Sequence, residues 1–182
     1  IEVSGKNKEA LETPLKDRAS RRVDPAVAGL KARNGYANLR EARKVIAVLE
    51  SLVEDPAVLS EQEALEKEHD CVPTIGVIGF YAGQVELIRS RGSASEVLGK
   101  SIAVAGEGIF DCAGIHVEVN TVDAYQGREC PIVILSFTRS NPGRKIGFVD
   151  NMNRLNVAMS RARKKLILLG DSTTLEGRAK AR

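Results

Sequence analysis

Two blocks of this sequence hold residue types that could grip an anion. The first, Val119-Asn-Thr-Val-Asp-Ala-Tyr-Gln-Gly-Arg-Glu129, runs an apolar strand pattern into Gln126 and Gly127. A glycine there lets backbone amides approach a phosphate with no side chain between. The second, Arg154-Leu-Asn-Val-Ala-Met-Ser-Arg-Ala-Arg163, has Leu155, Ala158, Met159 and Ala162 at helical spacing. On such a helix Arg154 and Arg161 share another face, about 10.5 Å apart along the axis. Two guanidinium forks on one face suit an anionic ligand held from opposite ends.

Other candidates are weaker. Ala94-Ser-Glu-Val-Leu-Gly-Lys-Ser101 fits a relaxed phosphate-loop pattern, but a helix-like segment precedes it and a strand-like one follows, the reverse of what the chemistry needs. A self-sufficient nucleotide hydrolase built on that segment is the third reading of the chain. Cys71, Cys112 and Cys130 are an odd number with no C-x-x-C, and only Cys112 and His116 stand at a ligand spacing. No metal site is expected, and idle thiols point to a reducing, intracellular setting.

Those blocks need a scaffold. At 182 residues the chain is about one domain, with enough core to fold without disulfides. The chain begins at Ile1 in mid-pattern without a Met, so a fragment of a longer chain is expected. No apolar run approaches membrane-spanning length. Net charge is only +3, but Arg139 to Lys165 holds eight basic residues and one acidic, the footprint of a phosphate-rich partner. Ile75 to Tyr81, Ile132 to Phe137 and Leu166 to Leu169 are nearly continuous apolar runs, as in strands buried on both faces. The stretch Ile115 to Val122 alternates as a further strand. Helix-like segments lie at Gln84 to Arg91 and Asn151 to Ala162. Asn38-Leu-Arg-Glu41 caps a helix that Asp55-Pro56 stops, and a weaker helix capped by Ser60 with Glu63 follows. Strand–helix alternation predicts an α/β parallel sheet flanked by helices, with ligands at the carboxyl ends of the strands. Arg139, just past one strand, either contacts phosphate or solvates its loop.

The order Ile75 to Gln84, Val119 to Glu129 and Arg154 to Arg163 resembles motifs IV, V and VI of superfamily 1 helicases. Thr-Val-Asp-aromatic-Gln-Gly-Arg-Glu, followed by Arg-Leu-Asn-Val-Ala-x-Ser/Thr-Arg-Ala-Arg, is similar to the 1B branch, that of the nonsense-mediated-decay RNA helicase and the immunoglobulin mu switch-region-binding helicase. Ile1-Glu-Val3 and Asn38-x-x-Glu41-Ala42 resemble its lead-in elements. The resemblance implies a RecA-like fold, the second motor domain of an ATP-dependent DNA or RNA helicase. Residues 1–182 would be one C-terminal RecA-like domain, with lead-in elements over 1–74 and a motif-bearing core over 75–171.

The resemblance also implies residue roles. Arg161 would be the arginine finger on the γ-phosphate, with Gly127 near that phosphate and Glu129 accepting from the ribose. Gln126, with Arg154, would couple nucleotide state to the nucleic acid. Tyr81, Gln84, Thr121 and Arg139 would line the single-strand track. ATP and Mg²⁺ would be held mainly by the N-terminal RecA-like domain, so the chain alone should not hydrolyse ATP. Location would be cytoplasmic, nuclear or nucleoid, with no membrane partner. The sequence departs from the motifs at Gly79-Phe80-Tyr81, where the family has Thr-Pro-Tyr, and at Cys130-Pro131, where it has a residue and then Asp. The alternative reading is a non-catalytic nucleic-acid-binding or regulatory module with the same fold.

Overall fold

In a computed structural model of the chain, the described residues are 12–17, 24–32, 34–68, 74–98, 109–112, 115–125 and 127–176. The expected strand at Ile1–Val3, the glycine–lysine end of the Ala94–Ser101 segment, Cys71 and Gln126 lie outside them.

A five-stranded sheet carries the molecule. Its strands are β3 (Ile75–Gly79), β4 (Ile109–Cys112), β5 (Ile115–Thr121), β6 (Cys130–Ser136) and β7 (Ala162–Leu169), in the spatial order β4-β5-β3-β6-β7. Strands β5, β3, β6 and β7 run parallel, and β4 adds an antiparallel edge. A two-stranded antiparallel pair, β1 (Thr13–Pro14) and β2 (Tyr36–Ala37), stands apart from it.

The apolar runs form strands because both faces of the sheet are covered. Ile75, Val77, Ile132 and Ile134 join one buried cluster, and Ile78, Val133 and Leu135 join the other. The first cluster is roofed by α2 (Leu39–Val53), α3 (Pro56–Glu68) and α4 (Ala82–Ser93), while α5 (Met152–Met159) packs on the second face. Register aligns Gly79 with Thr121 and Ser136, and Ser136 with Leu169. Four parallel strands therefore end in one row, where α/β sheets bind ligands.

Three expectations are corrected. Asp55-Pro56 stops α2 but also opens α3: the Asp55 carboxylate accepts from Ala57 N at 2.9 Å and proline occupies the first position, where its missing N–H is harmless. The helix expected to run to Ala162 ends at Met159, because Ala162 already pairs with Cys130 in the sheet. Strand β7 accordingly starts four residues before the expected Leu166. Strand β6 starts at Cys130, two residues before the expected Ile132, with Pro131 in second position and an irregular ladder to β7 there, as a residue with no N–H requires.

The capping box forms only by half. Asn38 accepts from Glu41 N at 3.0 Å, but Glu41 does not reach back. Fully buried, its Oε1 accepts from Ser136 Oγ at 2.5 Å and Thr138 N at 2.8 Å, whereas Oε2 finds no partner among the described residues. Burial pushes this carboxyl up from 4.5 to about 7, against the lowering effect of those two hydrogen bonds. A folded value above the unfolded one stabilises most below the unfolded value, and the effect is lost as pH rises through the folded one. The shift corresponds to about 3 kcal/mol. In denaturant titrations of the chain, Glu41→Gln is therefore expected to gain stability relative to wild type between about pH 5 and about pH 8. A difference that does not change with pH would contradict the assignment.

Candidate functional site

The strand ends open into a cleft of about 690 Å³. Thr121 reaches it from the end of β5, Tyr81 from the cap position of α4, Arg154 from the first turns of α5 and Arg139 from just past β6. The sequence thus named four residues that the fold brings to one place. Phe148, which the sequence reading passed over, joins them with 53% of its surface exposed. Its one signal was an aromatic inside the basic block.

Phe148 is braced. Its ring stacks on Tyr81 at 5.1 Å and 29°, and the Arg154 guanidinium stands 5.2 Å from its centroid. Tyr81 itself is buried. Its hydroxyl accepts from Phe148 N at 3.1 Å and from Arg139 Nη1 at 3.4 Å. Gly147 makes this possible: at φ +60° it adopts the left-handed region, and a Cβ there would collide with the Arg139 guanidinium and the Tyr81 hydroxyl.

Two track residues are placed differently from expectation. Gln84 is fully buried, accepting from Asn38 N at 2.7 Å and donating to Asn38 O and Ser136 Oγ. Its amide ties α2 to β6 and offers nothing to a strand. Arg139 lines the cleft, but its fork is spent on Glu12, Nε to Oε2 at 2.7 Å and Nη2 to Oε1 at 2.9 Å. Its plane lies 4.0 Å over the Tyr36 ring, and only about 5% of the side chain is exposed. A neutralised, buried guanidinium braces Tyr81; it is not a free phosphate contact.

Nor do Arg154 and Arg161 share a helical face, since Arg161 follows the end of α5. Arg154 turns to the cleft and pairs with Asp123 at 3.2 Å. Arg161 turns to the loop after β5. Its Nε donates to Val157 O at 2.9 Å, Nη1 to Arg128 O at 3.1 Å and Nη2 to Ser160 Oγ at 3.0 Å. The same loop carries Gly127, exposed at φ +84° with open space where a Cβ would be. The backbone conformation, not crowding, calls for glycine there. Glu129 is exposed and pairs with Arg163 at 3.0 Å. Thr121 Oγ1 accepts weakly from Ala124 N at 3.4 Å, leaving most of its capacity to the cleft. Among the described residues no cluster of His, Cys, Asp or Glu could hold a metal ion, and no helix is long and apolar enough to cross a membrane.

Comparison with known proteins places this geometry in context. Residues 10–173 match a family described as an AAA domain. The chain is 33% identical over 141 residues to an uncharacterized ATP-dependent helicase of Methanocaldococcus jannaschii, covering 78% of this chain and 16% of that protein. It is 42% identical over 102 residues to the DNA replication ATP-dependent helicase/nuclease of Homo sapiens, covering 55% of this chain and 8% of the relative. A DNA polymerase alpha-associated DNA helicase of Schizosaccharomyces pombe is 46% identical over 63 residues, 35% of this chain and 10% of its own length. The chain spans less than a fifth of each of these relatives.

Proposed function

Because the chain belongs to the AAA domain family, we propose that it is the second motor domain of an ATP-dependent superfamily 1 helicase of the 1B type. In this reading it forms one RecA-like domain and supplies the arginine finger and part of a single-strand track. One observation carries the reading: Arg161 is held by three hydrogen bonds beside the open glycine turn at Gly127. An oriented fork next to a glycine turn with no side chain over its backbone is an arrangement suited to phosphate oxygens. Relatives whose names include ATP-dependent helicase support ATP as the nucleotide.

The roles then divide as the motif resemblance implies. Gly127 admits the phosphates, Glu129 accepts from the ribose hydroxyl, and Arg161 meets charge that develops on the transferring phosphoryl group. ATP and Mg²⁺ are held mainly by an N-terminal motor domain of the same protein, which is intracellular. In the cleft, Thr121 contacts a backbone phosphate and the braced ring of Phe148 stacks a base. Gln126 and Arg154 couple the two sites. The experiment is ATP turnover by the full-length protein with single-stranded DNA or RNA added in turn. Turnover stimulated by either strand supports the reading, and no strand-dependent turnover removes it.

The cleft makes a separate prediction. Stacking is worth about 1–3 kcal/mol per base, so Phe148→Ala should weaken single-strand binding by roughly tenfold or more at fixed salt. The logarithmic salt slope should stay unchanged, because no phosphate contact is lost. Fluorescence anisotropy across a salt series reads both. Unchanged affinity would show that Phe148 does not stack a base.

A further inference from the structure

We infer that Arg128, clamped by the buried carboxylate of Glu118, is a positioning residue that sets the direction of the Arg161 fork during ATP turnover; this rests on the reading of Arg161 as the finger. Glu118 stands in the middle of β5, opposite Gly76 of β3, with only 2% of its side chain exposed. A carboxylate in a sheet interior persists only when it is paired and hydrogen-bonded. Its Oε1 accepts from Arg128 Nη1 at 2.5 Å and from Asn120 Nδ2 at 2.9 Å.

Arg128 is otherwise a surface residue, with 55% of its side chain exposed. The ion pair fastens the exposed loop to the sheet at that point. Its backbone is held as well: Arg128 N donates to Tyr125 O at 3.2 Å. The Arg128 carbonyl in turn accepts from Arg161 Nη1. Cys130 N donates to Arg161 O at 2.9 Å, closing the other side of the loop. Glu118, the loop and the Arg161 fork are therefore one hydrogen-bonded unit anchored inside the sheet. Strand β5 continues from Glu118 to Thr121 in the cleft, so the anchor also lies on the element that reaches the strand site.

The test uses the full-length protein with saturating single-stranded nucleic acid. Glu118→Gln/Arg128→Met removes the clamp without stranding a buried charge, and Glu118→Gln/Arg128→Ala is a second variant with the same expectation. Misdirecting a catalytic group by a fraction of its reach lowers the rate by about 10–100-fold. The expected result is a fall in kcat of that size, with KM for ATP and the thermal midpoint near wild type. Arg128→Lys, which keeps the ion pair, should regain most of the turnover. In an Arg161→Ala background the clamp variants should lose little more, because they act through that residue. Wild-type kcat in a folded clamp variant overturns the inference, and so does a full multiplicative loss on top of Arg161→Ala. Near wild-type turnover by Arg161→Ala alone overturns both this inference and the finger assignment. An inactive Arg161→Ala beside a fully active clamp variant overturns this inference only.

Discussion

Replacing Arg161 by alanine in the full-length protein is expected to cut ATP turnover by about 10³–10⁵-fold, the range for arginine fingers, while ATP affinity changes by at most about tenfold. The asymmetry follows from where the charge appears. In the proposed reading, ground-state contacts to ATP come mainly from the first motor domain, whereas a finger meets the negative charge that builds up only as the phosphoryl group transfers. In that reading the Arg161 fork is already oriented. Three hydrogen bonds to Val157, Arg128 and Ser160 fix its plane, so little rotamer freedom remains to be lost on the way to the transition state. Arg161→Lys should restore little, because an ammonium lacks the planar forked donors. Lys165→Ala, exposed on β7, is the control and should be mild. Arg163 would be a poor control, because it pairs with Glu129. Turnover and nucleotide affinity measured separately for these variants decide the matter, and an Arg161→Ala protein that turns over ATP near the wild-type rate would falsify the finger assignment.

The largest expected effect on stability lies at Glu12. Glu12→Ala should destabilise the chain by about 3–5 kcal/mol, the loss typical of breaking a buried ion pair on one side. The variant strands the Arg139 guanidinium among Tyr36, Tyr81 and the cleft wall, and it also deprives Ser140 N of its 2.8 Å acceptor. Converting both partners to apolar residues, Glu12→Leu/Arg139→Met, should recover much of the loss, because it removes the desolvated charges together. Because Arg139 braces Tyr81 and so Phe148, the single variant should also weaken single-strand binding. Denaturant unfolding of the three proteins is the measurement. A Glu12→Ala chain as stable as wild type would show that the pair contributes nothing.

The sequence itself determined what depends on neighbours along the chain. Ile75–Gly79 and Cys130–Ser136 read as strands because each is apolar on both of its faces, whichever helix later covers it. Asn38 read as a cap because its acceptor and the N–H that it caps are three residues apart. Gly127 was legible because a glycine turn at positive φ is a local device. Tertiary structure decided what depends on partners distant in sequence. Arg139 meets a carboxylate 127 positions away and Glu41 a hydroxyl 95 positions away, so neither the buried ion pair nor the buried acid left a local trace. Gln84 looked like a track residue until packing turned its amide inward to Asn38 and Ser136. Arg154 and Arg161 were separated for a related reason: helical spacing allowed α5 to run on, but sheet pairing of Ala162 with Cys130 ended it. Local propensity is worth tenths of a kcal/mol per residue, and completing a buried strand outweighs it. That outcome sends one arginine to the cleft and the other to the loop that carries Gly127.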